Sequence, residues 1–215
     1  MQLPPDTDPR DESRIARDPA LESPRTALRR ALLDARRRAP AETRRAANDA
    51  LLARLADLLG ACAGATVALY WPVRGEPLLE PLPARWLAAG ARLALPCVVA
   101  PDAPLRFLAW CPGDATVPGA MGIPVPAVPV EVRPDRLVVP CLGFDDQCYR
   151  LGYGGGFYDR SLAALDGDGG PPVFAVGVAW DEARIEGFEP LPTDRPLDAV
   201  VSPARSFRPG GPAGR

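Results

Sequence analysis

The sequence predicts an α/β fold: an open, mostly parallel sheet with helices on both faces, stacked in three layers. Short apolar, strand-like runs alternate with helix-length stretches at the spacing of βαβ units. One run, RLVVP at 136–140, is compact and apolar, as in a strand buried on both faces. The chain has 215 residues, 47% of them hydrophobic, which suits one globular core and would be cramped for two.

Residues 1–20 are rich in Pro, Asp and Arg and are expected to form a disordered tail. Residues 21–202 are expected to form a single domain, and 203–215 a second disordered tail. Ser23-Pro24 marks a helix start, with Ser as N-cap and Pro in the first turn. That helix should stop before Pro40. A second begins near Ala41, buries Leu51, Leu55 and Leu58, and ends at Gly60. ATVALYW at 65–71 reads as a strand ended by Pro72. A proline-interrupted helix follows in LLEPLPARWLAAG, closed by Gly90. ARLALPCVV and LRFLAW are the next strands. A long Pro/Gly loop is expected from Cys111 to about Val130. After RLVVP come a glycine-rich stretch and a helix over about Phe157–Leu165. VFAVGVAW and LDAVV supply the last strands. The whole is a Rossmann-like three-layer arrangement. In such sheets ligands sit beyond the carboxyl ends of the strands, so the glycine stretch after RLVVP lies on the ligand side.

Composition excludes several chemistries. There is no histidine, and all 25 basic residues are arginine. Schiff-base chemistry, a Walker-type lysine, a Ser-His-Asp triad and histidine metal sites are therefore ruled out. A net charge of −2 gives no global attraction to nucleic acid or membrane. The five cysteines are scattered, with no CxxC pair, and read as free thiols in a reducing cytosol. Cys97 and Cys141 read as small apolar packers. No apolar run has signal-peptide character or membrane-spanning length. A soluble, cytoplasmic protein is expected.

The stretch RLGYGGGFYDR, Arg150–Arg160, holds four glycines within five residues. Bare backbone lets successive N–H groups approach an anion, and a helix starting just after adds its positive dipole end. GxxxxGK[ST] does not fit, and GxGxxG fails because Phe157 stands in the third glycine's place. Arg150 can supply the missing positive charge and grip a phosphate by two N–H groups. Asp159 suits Mg²⁺ on that phosphate. From spacing alone a plain turn, with Asp159 as a helix-start acid, stands equally open.

The segment LVVPCLGFDDQCYRLGYGGGFYDR resembles the signature of the 5-formyltetrahydrofolate cyclo-ligases, also called methenyltetrahydrofolate synthetases. Arg25-Thr-Ala-Leu-Arg29, ALYWPVRGE and DRPLDAVVS resemble the family's other segments in the same order, from about Arg25 to Ser202. The resemblance implies an open α/β enzyme that uses ATP and Mg²⁺ to turn 5-formyltetrahydrofolate into 5,10-methenyltetrahydrofolate. By the same resemblance, Arg25 and Arg29, four apart on one helix face, contact ATP phosphates. Arg150, Leu151, Gly152, Tyr153, Gly154, Gly155, Gly156, Phe157 and Tyr158 wrap those phosphates, with Arg150 and Tyr158 in catalytic roles. Tyr153, Gly154 and Gly155 also meet the folate's formyl end. Asp159 binds Mg²⁺. Glu76 binds folate, accepting N–H bonds from the pterin edge, and Trp71 is a flat apolar wall.

Some positions depart from the pattern. Arg25 replaces a usual lysine, and Cys141 and Cys148 replace glycines, which at Cys148 should forfeit a left-handed conformation. Ala183 stands where a glutamine is common. Arg30, Arg36, Arg37 and Arg38 are expected on the surface. Asp145 is expected to support the loop, and Asp194 and Asp198 to be turn and strand-start acids. Two other functions compete with this reading. One is a non-catalytic folate or nucleotide binder using the same pocket. The other is an RNA-binding module on the arginine-rich first helix, disfavoured by the net charge and by the lack of interleaved aromatics.

Overall fold

A computed structural model describes residues 23–210; the tail expected over 1–20 lies outside the described residues. The first helix, α1 (Pro24–Arg38), begins as its sequence dictates. The Ser23 side chain accepts the Thr26 N–H, and Ala39 turns extended before Pro40. Helix α2 (Ala41–Leu59) ends at Gly60, whose φ of 66° lets the chain leave the helix. Strand β1 (Thr66–Ala68) is shorter than the apolar run around it. Its pairing with the neighbouring parallel strand stops at Ala68, and the chain then leaves the sheet toward Pro72. Helix α3 (Leu82–Ala88) starts only once Pro81 is passed. Strands β2 (Arg92–Cys97) and β3 (Arg106–Ala109) follow.

The stretch expected as loop, 111–130, instead folds a hairpin of β4 (Thr116–Pro118) and β5 (Pro124–Pro126). Its prolines hid it, because proline suits only strands with an unpaired side. Strand β6 (Arg136–Pro140) is the RLVVP run. A two-residue hairpin, β7 (Gly143–Phe144) and β8 (Arg150–Leu151), leads into the glycine loop and α4 (Phe157–Gly167). Strands β9 (Phe174–Val178) and β10 (Ala199–Val201) come next. The C-terminal tail expected from Pro203 is a correction as far as 210. Ser206–Phe207 forms β11, antiparallel to β10, and Phe207 packs edge-on against Phe144 at 4.9 Å. One buried aromatic anchors a segment whose Pro/Gly/Arg composition signals disorder.

The seven-stranded sheet runs β11-β10-β9-β6-β1-β2-β3. Its four inner pairings are parallel and its two edge strands antiparallel. Alternate residues of each strand face opposite layers. Val67 and Leu69 pack with Leu51 and Leu55 of α2 and Trp86 of α3. Ala68, Leu137 and Val139 pack with Leu162 of α4 on the other face. Each fully buried leucine contributes about 1.5–3 kcal/mol. Strand order reverses between β1 and β6, which is where an open sheet leaves a crevice. Helix α1 lies over that end. Gly143 makes the seat: a Cβ there would come within 2.8 Å of Leu32 on α1 and within 2.5 Å of Ile185.

Candidate active site

The crevice is a cavity of about 1140 Å³. Every residue singled out by the resemblance borders it: Trp71 and Glu76 after β1, the run from Arg150 to Asp159 after β6, and Arg25 and Arg29 on α1.

At one end lies the glycine loop. Gly156, at φ 65°, is the N-cap of α4, and no side chain caps the helix's first amides. Gly154 sits at φ 103°, a conformation that a side chain would strain. Two arginines hold the loop by its carbonyls. Arg29 Nε donates to Gly152 O at 2.9 Å, and Arg160 Nη2 donates to Gly155 O at 2.6 Å and Pro101 O at 2.9 Å. In a planar trans peptide the following N–H points the opposite way, so the N–H groups of Tyr153 and Gly156 face away from these arginines.

Arg150 is not a free phosphate grip. Its side chain is 4% exposed, and Nη2 pairs with Asp159 Oδ2 at 2.9 Å. Nη1 donates to Arg195 O at 3.2 Å, and Asp159 Oδ1 accepts the Arg195 N–H at 2.9 Å. Arg25 is likewise engaged. It pairs with Asp194, donates to Glu189 O and lies over the Phe188 ring. Asp194 is thus more than the expected turn acid, although it does accept the Leu191 N–H. Asp145 supports its loop through the Gln147 and Tyr149 N–H groups, and Asp198 takes the Ala175 N–H at a strand start. Burial and the neighbouring Arg25 lower the Arg29 pKa.

At the other end Glu76 is 4% exposed. Oε2 accepts the Val73 N–H at 2.9 Å and Oε1 accepts the Tyr153 hydroxyl at 2.8 Å. Burial raises its pKa, and those two hydrogen bonds pull it back. Trp71 borders the same cavity and meets Trp110 edge-on at 6.2 Å. Tyr158, in the first turn of α4, borders the cavity with its ring 5.7 Å from the Arg150 guanidinium. Burial pushes its phenol far up, so it can donate a hydrogen bond but cannot act as a base near neutrality.

Among the described residues no three His, Cys, Asp or Glu side chains gather as a metal cage. Asp159, on the first turn of α4, offers a carboxylate at the glycine-loop end; Asp194 also borders the cavity and is paired with Arg25. Each Asp159 oxygen has one protein partner and acceptor capacity for a second. That donor set fits Mg²⁺ carried on phosphates, which takes one or two carboxylates plus phosphate oxygens and water.

Several cavity residues escaped the sequence. Met121 at the β4–β5 tip, 72% exposed, and the loop 191–196 both border it. Arg36, expected on the surface, is buried at 5% exposure. Its signal was present: Arg25, Arg29, Leu32 and Arg36 recur on one helix face. Cys148 keeps a left-handed φ of 63° despite its side chain, against expectation, because its thiol is buried in the core. Ala183 is buried in a 3₁₀ turn, where a longer polar side chain would need space and partners.

The sequence profile described as the 5-formyltetrahydrofolate cyclo-ligase family matches residues 22–203. The 5-formyltetrahydrofolate cyclo-ligase of Mycolicibacterium smegmatis is 34% identical over 84% of this chain and 94% of its own length. The Escherichia coli K12 protein of the same name is 36% identical over 65% and 79%. The solved structure of Aquifex aeolicus 5,10-methenyltetrahydrofolate synthetase superposes with a TM-score of 0.73 at 29% identity, covering 89% of this chain and 95% of that one. The Mycoplasma pneumoniae synthetase, at 22% identity and a TM-score of 0.67 over 84% and 99%, shares the fold. With a profile match that spans nearly all of the described domain, the chain belongs to the 5-formyltetrahydrofolate cyclo-ligase family.

Proposed function

We propose that this chain converts 5-formyltetrahydrofolate to 5,10-methenyltetrahydrofolate, consuming ATP and releasing ADP and phosphate, with Mg²⁺ on the nucleotide. One observation carries it: a single cavity joins an anion-suited end, built of glycine amides, the start of α4 and arginines, to an end holding a buried carboxylate. A triphosphate suits the first and the N–H edge of a pterin the second.

A formyl amide oxygen is a very poor leaving group. Its attack on the terminal phosphorus of ATP expels ADP and makes that oxygen part of a phosphate ester. N10 of the folate then attacks the formyl carbon, and phosphate departs with the former formyl oxygen. N10 gives up its proton as the ring closes. The protein's work is to align three partners and to offset charge on the moving phosphoryl group. Loop amides and Arg29 hold the phosphates, with Arg25 available once it exchanges Asp194 for phosphate. Arg150 orients Asp159 and contributes its positive charge nearby. Glu76 orients the pterin, and Tyr158 donates to an oxygen between the two ligands. Bound Mg²⁺ would screen charge on the phosphate oxygens beside Asp159.

No described helix is long and apolar enough to cross a membrane. The described cysteines are all free, which suits a reducing cytoplasm. Small molecules are the proposed partners, with no nucleic acid or membrane, and the protein acts as a monomer. The test is direct. Purified protein, 5-formyltetrahydrofolate, ATP and Mg²⁺ should generate the absorbance of the conjugated methenyl product, and omission of ATP should stop it. Ligand-induced thermal stabilisation without product would leave only a binder.

A further inference from the structure

Helix α1 carries a buried arginine that no phosphate role uses. A buried guanidinium is costly unless its donors find partners. Arg36 Nη2 donates to Cys141 O at 2.8 Å, just past the end of β6, and Nη1 donates to the Tyr153 hydroxyl at 3.0 Å. Guanidinium has donors only, and a phenol has one proton. Tyr153 therefore accepts from Arg36, and its proton is left for Glu76 Oε1 at 2.8 Å. The other Glu76 oxygen takes the Val73 N–H. The direction of every bond in the chain Arg36–Tyr153–Glu76 follows from the cation at its head. A carboxylate has about four acceptor positions, so Glu76 keeps places for a ligand.

We propose that Arg36 is a positioning residue for the reaction, acting through Tyr153 to keep the buried Glu76 ionised and aimed at the folate. This rests on the folate role of Glu76 proposed above. The groups around Glu76 agree with it. Arg74 on its own turn is the other cation, stacked 5.2 Å from the Tyr153 ring. Tyr70 after β1, Tyr158 on α4, Tyr153 on the glycine loop and Cys141 after β6 complete the set. Burial raises the pKa of all four, Cys141 to about 12, so none brings a negative charge near neutrality. Arg36 is the cation joined to Glu76 through a bonded bridge, and it holds down a carboxyl pKa that burial drives up.

Arg36 also pins α1 to the end of β6, so a purely structural role must be separable. Arg36→Met, Arg36→Lys, Tyr153→Phe and Glu76→Gln are assayed for kcat and for folate and ATP KM from acid to neutral pH. Removing a hydrogen bond to a charged group costs about tenfold, so Arg36→Met should raise the folate KM about tenfold and leave the ATP KM within about twofold. The acid limb of the folate kcat/KM should move to higher pH, because Glu76 then protonates more readily. Arg36→Lys should restore part of the loss, and Tyr153→Phe should move the limb in the same direction. Equal rises in both KM values with an unmoved limb, or a Tyr153→Phe limb like wild type, overturn the positioning role. If Arg36→Met does not fold, Tyr153→Phe decides alone, since it removes one oxygen. Glu76→Gln with an unchanged folate KM would instead fail the folate reading itself. A sensitive Glu76 beside silent Arg36 and Tyr153 fails only this inference.

Discussion

The two ends of the cavity solve opposite problems. At the glycine-loop end each pair has a member partly open to water: Asp159 is 21% exposed although its partner Arg150 is buried, and Arg25 is 23% exposed beside Asp194 at 11%. A member that water reaches can exchange its partner at less cost than a group buried throughout. At the Glu76 end the carboxylate and Arg36 are almost wholly buried, and their bonds run in one fixed direction. A ligand that carries its own charges needs partners that can let go. A ligand recognised by a neutral N–H edge needs an acceptor already in place, because reorganising a buried charge costs several kcal/mol.

The largest effect expected from this contrast falls at Asp159. Asp159→Asn keeps the shape and an acceptor for the Arg195 N–H, but removes the charge that faces Arg150 and suits Mg²⁺. Turnover should fall at least a hundredfold, and because the buried Arg150 loses its counter-charge the melting temperature should also fall, by about 5–15 °C, with the protein still folded at assay temperature. Near wild-type turnover would remove Asp159 from the metal role. A protein that no longer folds would show that the Arg150–Asp159 pair is structural.

Arg29 gives a smaller, more discriminating test. It holds the loop through Gly152 O and faces the cavity itself. Arg29→Ala should raise the ATP KM about tenfold, by one charge-assisted contact, and leave the folate KM within about twofold. Raised ionic strength should weaken ATP more than folate in the wild type, since partly exposed charges are screened and buried ones are not. If both substrates respond equally, the division between the ends does not hold.

The helices and inner strands were legible because they obey local rules. Ser23-Pro24 starts α1, Gly60 ends α2, and the RLVVP run is β6 with the expected bounds. The placement of Trp71, Glu76 and the Arg150–Asp159 run around one cavity follows from the parallel topology, since all lie just beyond strand ends. Tertiary partners were not legible. Nothing in the sequence near Arg150 says that Asp159 already holds it, or that Asp194 holds Arg25. Arg36 was misplaced because it stands among exposed arginines, and only its helical phase relative to Arg25 and Arg29 separates it from Arg37 and Arg38. The β4–β5 hairpin and β11 were missed because Pro and Gly mask short strands whose stability comes from distant contacts.

The smallest effect is expected at Cys148, at the root of the glycine-loop end, where strain and packing oppose each other. A left-handed conformation costs a residue with a side chain about 1–2 kcal/mol, which Cys148→Gly would relieve at φ 63°. The same change removes a thiol buried against Phe144 and Leu197 and their neighbours. It also frees the unfolded chain by roughly 0.5–1 kcal/mol. Losing that burial costs about 1 kcal/mol more, so the sum is close to zero. The melting temperature should move by no more than a few degrees, and kcat/KM by less than about twofold. That null result would place the glycine loop's flexibility in Gly154 and Gly156 and leave its root a matter of packing. A large loss of ATP affinity without a loss of stability would show that the thiol itself sets the loop's geometry, and the glycine-loop end would then be as rigidly fixed as the end at Glu76.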